Sequence, residues 1–233
     1  AYRTGRSPGG GTHSMLNMPA APKHSTWSPS GTGSKFGKNK IHIAPLVDHN
    51  RSNEYEFDVN GEPYKMVQII LAGLRQAVES AEQPIAFLSF NRIIKLGGPS
   101  NIELQKRMGA APVMPEMSML MSIHLNNATV AAIAVEAVIA LCDHPHNLTL
   151  MHKSNICDNV SLIFARYMAN KSICDTCLQA IDKMSLEEGC RWRLGQANAC
   201  ELTARCLYKH MQVRGTVKHA LSTLNGLTFR AFH

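Results

Sequence analysis

Two short stretches contain the residue types most able to do chemistry. Cys174 and Cys177 are separated by two residues, a spacing found in redox pairs and in one half of a zinc site. Asp143, His144 and His146 bring a carboxylate and two imidazoles together, which is a donor set for a metal ion. No second CxxC and no HxxxH accompanies them, so each stretch also has to be judged as a structural feature.

A packing role is the favoured interpretation of the CxxC. Its two cysteines fall on one helical stripe together with three apolar residues, Ile173, Leu178 and Ile181, and free Cys is a common small core residue. All seven cysteines lie between Cys142 and Cys206. An odd number without framework spacing argues against a secreted disulfide scaffold. Buried, reduced thiols are therefore expected.

The Asp-His-Pro-His stretch is interpreted as a capped turn between two helices. Asp143 suits the cap, and Pro145 suits the first helical turn. No catalytic triad, Cys/His pair or paired carboxylates can be identified in the sequence. We therefore expect a protein that is not an enzyme, with no catalytic residue, no cofactor and no metal site. Met108 and four methionines between Met114 and Met121 are expected mainly to fill gaps in the core.

The elements that hold these residues are expected to be helices from Pro63 onward. A first helix begins at Pro63, and a second runs from Pro84 to Leu96, before Gly97-Gly98-Pro99. A repeat follows, because the helix starts at Ser100, Asp143 and Ser185 are 43 and 42 residues apart. The breaks at Asn127, Asn170 and Arg214-Gly215 keep the same interval. The predicted helices are 101–108, 112–124, 128–142, 146–153, 156–169, 171–183, 186–194, 197–212 and 215–226.

This pattern resembles the armadillo-repeat family over roughly residues 65–227. That family repeats one short and two longer helices about every 42 residues. Asn101 to Ala110 looks like its first helix with the Gly break, and Val135 to Leu141 looks like its third. The resemblance implies an all-α fold, a short right-handed solenoid of about three and a half repeats. A HEAT-like or generic α-solenoid is the alternative.

The resemblance does not extend to the peptide-binding members of the family. Those members carry a ladder of Asn residues, often beside Trp, on their third helices. Asp143 and Lys183 stand at the ladder positions here, and Val138 and Leu178 stand at the neighbouring Trp positions. Binding of basic peptides in the manner of an import receptor is therefore not expected.

The N-terminal segment has a different composition. Residues 1–40 contain six basic residues and no acidic one, whereas the rest of the chain is nearly neutral. We predict an extended basic arm over residues 1–40, an extended or β linker over 41–62 with a small β segment, and a helical domain over 63–233. An asymmetric charge of this kind indicates an arm that contacts an anionic surface. The predicted partner-binding residues are Arg3, Arg6, Lys23, Trp27, Lys35, Phe36, Lys38 and Lys40.

These features favour a scaffold or accessory subunit of a hetero-oligomeric complex. The charge pattern suits a mitochondrial location, on the matrix side or at the inner membrane, within a respiratory-chain or ATP synthase assembly. The arm would then contact neighbouring subunits or anionic lipid. The alternatives are an RNA-contacting protein of an organellar ribosome and a cytoplasmic, microtubule-associated armadillo adaptor. No stretch reaches the ~18 apolar residues of a transmembrane helix, and none is expected.

Overall fold

The chain is all-helical in the part that the computed structural model describes, residues 63–98 and 101–229. These ranges contain eleven helices and no strand. The helices are α1 Pro63–Ser80, α2 Gln83–Leu96, α3 Ile102–Ala110, α4 Val113–Ile123, α5 Ala128–Leu141, α6 Pro145–Lys153, α7 Ile156–Arg166, α8 Lys171–Met184, α9 Glu188–Gln196, α10 Ala199–Lys209 and α11 Arg214–Phe229. The all-α prediction is confirmed.

Every described residue belongs to one compact unit of the chain. The predicted arm of residues 1–40 and the predicted linker and β segment of residues 41–62 lie outside the described residues.

The helices after α2 form three triplets, α3–α5, α6–α8 and α9–α11, whose turns repeat at the predicted spacing. Asn127 and Asn170 cap α5 and α8, and their side chains accept the backbone N–H of Val130 at 3.0 Å and of Ile173 at 3.3 Å. Such a cap satisfies one of the N–H groups that the first turn of a helix leaves unpaired. The middle helices α4, α7 and α10 end up to three residues earlier than predicted, because each is followed by a tight turn before the next helix.

Three of the predicted helix caps are wrong. The N-cap of α3 is Asn101 and not Ser100. The other two errors concern side chains that bind elsewhere. Asp143 does not cap α6, whose N-cap is His144; its carboxylate instead pairs with Lys183, 40 residues later, at 2.6 Å. Ser185 does not cap α9, because its hydroxyl donates to the carbonyl of Asp182 at the end of α8. The N-cap of α9 is Glu187, which accepts the N–H of Cys190 at 2.6 Å. In both cases a competing partner takes the side chain that local preference assigns to the cap.

Equivalent helices of successive triplets contact one another. The first helices pair as α3·α6 and α6·α9, the middle helices as α4·α7 and α7·α10, and the third helices as α5·α8 and α8·α11. Helices α1 and α2 contact α4 and α5 in the same way, so they occupy the middle and third places of a preceding triplet. The apolar faces between these layers form one continuous buried cluster from α1 to α11.

Buried polar side chains cross the triplet boundaries. Asn159 of α7 donates to the carbonyl and the hydroxyl of Ser118 on α4, at 2.8 and 3.0 Å. Gln105 of α3 donates to the carbonyls of Gly98 and Ala140, both at 3.2 Å, and so ties α3 to the ends of α2 and α5. A buried polar group costs free energy unless it is hydrogen-bonded, so these links specify how one triplet sits on the next.

Candidate functional site

The predicted partner-binding residues lie outside the described residues. This applies to all eight of them: Arg3, Arg6, Lys23, Trp27, Lys35, Phe36, Lys38 and Lys40. The candidate surfaces of the described ranges therefore belong to the helical body alone.

Large exposed apolar side chains are concentrated at the two ends of the helix series. Of those that the described residues expose, α1 and α2 carry four, the first triplet three and the second triplet one. The third triplet and its turns carry five: Leu186, Trp192, Tyr208, Met211 and Leu221. Trp192 is 64% exposed and Tyr208 is 79% exposed. Aromatic side chains are enriched at the centres of protein interfaces, so this end is the stronger candidate contact surface.

Asp143 and Lys183, which stand where the peptide-binding proteins carry their Asn ladder, form an ion pair with each other. Lys183 Nζ lies 2.6 Å from Asp143 Oδ1, and both side chains are about one third exposed (37% and 34%). On the next boundary, Ser222 donates to the carboxylate of Asp182 at 3.2 and 3.3 Å. Side chains that hold each other across triplets have less capacity left to bind the backbone of a peptide.

A shallow groove runs over the middle helices. It is lined by residues of α4 and α7 and by the C-terminal ends of α6 and α9, including Met119, Lys153 and Arg193. Arg193 pairs with Asp158 at 2.7 Å, and the floor is closed by the hydrogen bonds of Asn159. Two serines of the lining donate their hydroxyls to neighbouring groups, Ser122 to Asn159 Oδ1 and Ser154 to the carbonyl of Leu150.

The Asp-His-Pro-His stretch lies at the start of α6, whereas the CxxC lies inside α8. His144 and His146 face each other edge to face with ring centroids 6.5 Å apart, and Pro145 opens α6 as expected. Among the described residues, however, Asp143, His144 and His146 do not bring three ligand atoms together. The CxxC lies within α8, with Cys174 and Cys177 both fully buried on its apolar face, as the packing interpretation predicts.

The cysteines are free thiols. Six of the seven are buried, and Cys200 is half-buried. Burial raises the pKa of Cys142 and Cys177, while a hydrogen bond donated to a neighbouring thiol, together with burial, raises the pKa of Cys174 and Cys190. Most of these thiols are therefore held protonated unless an electrophile or a metal ion displaces the proton.

Sequence reasoning missed one potential ligand pair, Cys206 and His210. Cys206-x-x-x-His210 places a thiol and an imidazole on one face of α10 and at its end. The CxxxH spacing is the signal that could have found this pair, since CxxC and HxxxH do not include it. In the structure this pair meets Cys174, and the three side chains form one group that could hold a metal ion. Another such group consists of His152, Glu187 and Cys190.

None of the helices in the described ranges is both long enough and apolar enough to cross a membrane. Comparison of the chain with protein-family models, with curated proteins and with solved structures finds no match.

Proposed function

We propose that this chain is a non-catalytic scaffold or accessory subunit of a multi-protein assembly, built as a short, right-handed, armadillo-like solenoid of about three and a half repeats. The observation that carries the proposal is the distribution of exposed apolar side chains. Among the described residues, the second triplet exposes one large apolar side chain, whereas the third triplet and its turns expose five, including Trp192 and Tyr208. Exposed apolar and aromatic side chains grouped on one part of a surface are typical of protein–protein contacts, so they favour a subunit that is covered by a partner.

The contacts between equivalent helices support a repeat architecture. In a solenoid each repeat contacts mainly its neighbours, and the pairs α3·α6·α9 and α5·α8·α11 follow that pattern. The pairing of Asp143 with Lys183 favours a scaffold over a peptide-binding groove. The exposed apolar side chains of the third triplet then form the surface through which the subunit is held in its assembly.

The charge pattern of the chain favours a particular setting. Six basic residues stand in residues 1–40 without an acidic one, and an arm of this kind suits the anionic inner mitochondrial membrane or the subunits around it. The proposed assembly is therefore a respiratory-chain or ATP synthase complex, with the chain on the matrix side or associated with the inner membrane.

The experiment compares the tagged chain with two variants in cells of its source. One variant, Trp192→Ser with Tyr208→Ser, changes the exposed end; the control, Leu162→Ser, changes a side chain that is 51% exposed on the second triplet. Each is purified after nuclease treatment, and native electrophoresis with mass spectrometry identifies partners present in stoichiometric amounts. Circular dichroism of the purified chains verifies that all three are folded.

The proposal expects a fixed set of protein subunits with the parent chain and the control, and loss of that set with the double variant. Localisation by fractionation of the mitochondria accompanies this measurement. Co-purification of ribosomal proteins and RNA that nuclease releases would contradict the proposal in favour of the RNA-contacting alternative. A chain that migrates alone, or partners that ignore the double variant, would also contradict it.

A further inference from the structure

Three metal-binding side chains meet where α8 packs against α10. Cys174 lies on α8, Cys206 lies on α10, and His210 follows directly after α10. Their two sulfur atoms and one imidazole nitrogen all lie within 4.8 Å of one another. Both cysteines are fully buried, and His210 is half-buried. Residues four apart on a helix share a face, which explains why Cys206 and His210 point at the same place.

One backbone carbonyl gathers two of these groups. The thiol of Cys174 donates to the carbonyl of Met168 at 3.5 Å, and His210 Nε2 lies 3.0 Å from the same oxygen. The sulfur of Cys174 also lies within 4.8 Å of the sulfur of Cys206. The two thiols and the imidazole are therefore already close together without a bound ion.

The preceding triplet shows that the fold does not need ligand residues here. The positions 43 residues before Cys174, Cys206 and His210 are occupied by Ala131, Ile163 and Tyr167. Tyr167 uses its hydroxyl to donate to the carbonyl of Leu125 at 3.1 Å, just as His210 contacts the carbonyl of Met168. The same contact is thus built once with apolar and aromatic residues and once with two thiols and an imidazole.

The ligand set consists of three side chains. Cys177 lies one helical turn after Cys174 on the same face of α8 and is fully buried, but it is not part of the group whose ligand atoms lie within 4.8 Å of one another. Two thiols and one imidazole are a ligand set that zinc takes in proteins, with the fourth position left to water or another ligand.

We propose that Cys174, Cys206 and His210 bind one borderline-soft metal ion of the class of Zn²⁺, in a tetrahedral site whose fourth position is open to water. Each coordinating thiol releases its proton to solvent, and the resulting thiolate forms a bond to the metal; no electron is transferred. Two thiolates neutralise the charge of Zn²⁺. The ion would link α8 to α10, and the inference is independent of the proposed function.

The test uses the full chain, reduced and freed of metal under anaerobic conditions. Zn²⁺ is added, weakly bound ion is removed by desalting, and the retained metal is counted by mass spectrometry. Co²⁺ serves as a spectroscopic probe, because thiolate ligation gives a charge-transfer band in the near ultraviolet and tetrahedral geometry gives intense visible bands. His210→Tyr and Cys206→Ile place the residue types of the preceding triplet at these positions and each remove a ligand, and circular dichroism verifies that both variants are folded. Cys200→Ser, Cys142→Ser and Cys190→Ser are the matched cysteine controls.

The proposal expects one retained ion per chain, both cobalt signatures, and an increase in thermal midpoint on adding Zn²⁺. It expects His210→Tyr and Cys206→Ile to weaken binding at least about tenfold, since loss of even an outer-shell partner costs about 10–100-fold, and the controls to bind normally. The inference is overturned if the reduced chain retains no stoichiometric metal or shows no thiolate band. It is also overturned if the two variants bind as well as the parent, or if Cys190→Ser alone abolishes binding, which would assign the ion to the group around His152.

Discussion

The sharpest test of the contact between the triplets is to add one methyl group at Gly109. A Cβ atom at this position would lie 2.5 Å from Asn147 Oδ1 and 3.0 Å from His146 Cδ2, both on α6. Asn147 is fully buried, and its amide donates to the carbonyl of Leu141 at 3.2 Å, so it is not free to swing aside. The chain provides a matched control at Gly195, 86 residues later, where a Cβ would meet nothing within 4 Å.

The expected magnitudes come from two opposing effects. In a helix, replacing Gly by Ala gains up to about 1 kcal/mol of intrinsic helix stability. Forcing a methyl group into a packed contact costs about 1–3 kcal/mol. Gly109 and Gly195 are both the second-last residue of their helices, so the intrinsic gain cancels in the comparison. Gly109→Ala should therefore be less stable than Gly195→Ala by about 1–3 kcal/mol.

Urea unfolding followed by circular dichroism measures this difference through the midpoint and the slope of the transition. Gly195→Ala should raise the midpoint, and Gly109→Ala should lower it or leave it at the parent value, with unchanged slopes. Equal stabilisation by the two variants would show that α3 and α6 do not approach as closely as the contacts at Gly109 require, and would refute the reasoning.

Two further predictions concern the turns that follow the middle helices. Tyr167→Phe removes the hydrogen bond to Leu125 and should cost about 0.5–1.5 kcal/mol of unfolding free energy, measured by urea unfolding; no loss would mean that water replaces the hydroxyl. Burial lowers the pKa of His124 below its ordinary value of 6.5, so the unfolded chain binds its proton more readily. The contribution of His124 to stability should therefore be constant above pH 6.5 and fall as the pH drops from 6.5 toward the lowered pKa. His124→Phe should remove this pH dependence, whereas the control His146→Phe, which changes an exposed imidazole, should keep it. An unchanged pH profile in His124→Phe would contradict the assignment.

The order of the helices was predictable because characteristic turn residues stand between them in the sequence. The sequence predicts breaks between helices at Asn127 and Asn170, and the structure places both as N-caps of the helices that follow. Two further asparagines mark breaks at the same spacing: Asn155 and Asn198 have φ of 60° and 59° and stand between the first and middle helices of their triplets. Asn tolerates this left-handed conformation better than most residues.

The predictions failed where a distant or competing partner changed the role of a residue. Asp143 and Ser185 are residue types that favour caps. In the structure, however, Asp143 pairs with Lys183, and the hydroxyl of Ser185 donates to a carbonyl of the preceding helix. The meeting of Cys174 with Cys206 was likewise invisible in the sequence, because an apolar stripe on α8 looks the same whether its neighbour carries leucines or ligands. Only the packing of α8 on α10 brings the two thiols together.

The boundaries between triplets also explain why the repeat is regular in spacing but weak in residue identity. Gly109 and His152 occupy the same place 43 residues apart, yet the small residue faces Asn147 across the first boundary, while the imidazole faces Gly189 across the second. A Cβ at Gly189 would lie 2.6 Å from the ring of His152. Each boundary therefore pairs one large with one small residue, but the small residue lies on the earlier helix at the first boundary and on the later helix at the second. Close packing constrains the sum of volumes across a contact more strongly than the residue at either side. The packed residues of each triplet are therefore adapted to their own neighbours and differ between triplets. The turn residues are constrained mainly by backbone conformation, so the repeat is easier to recognise at the turns.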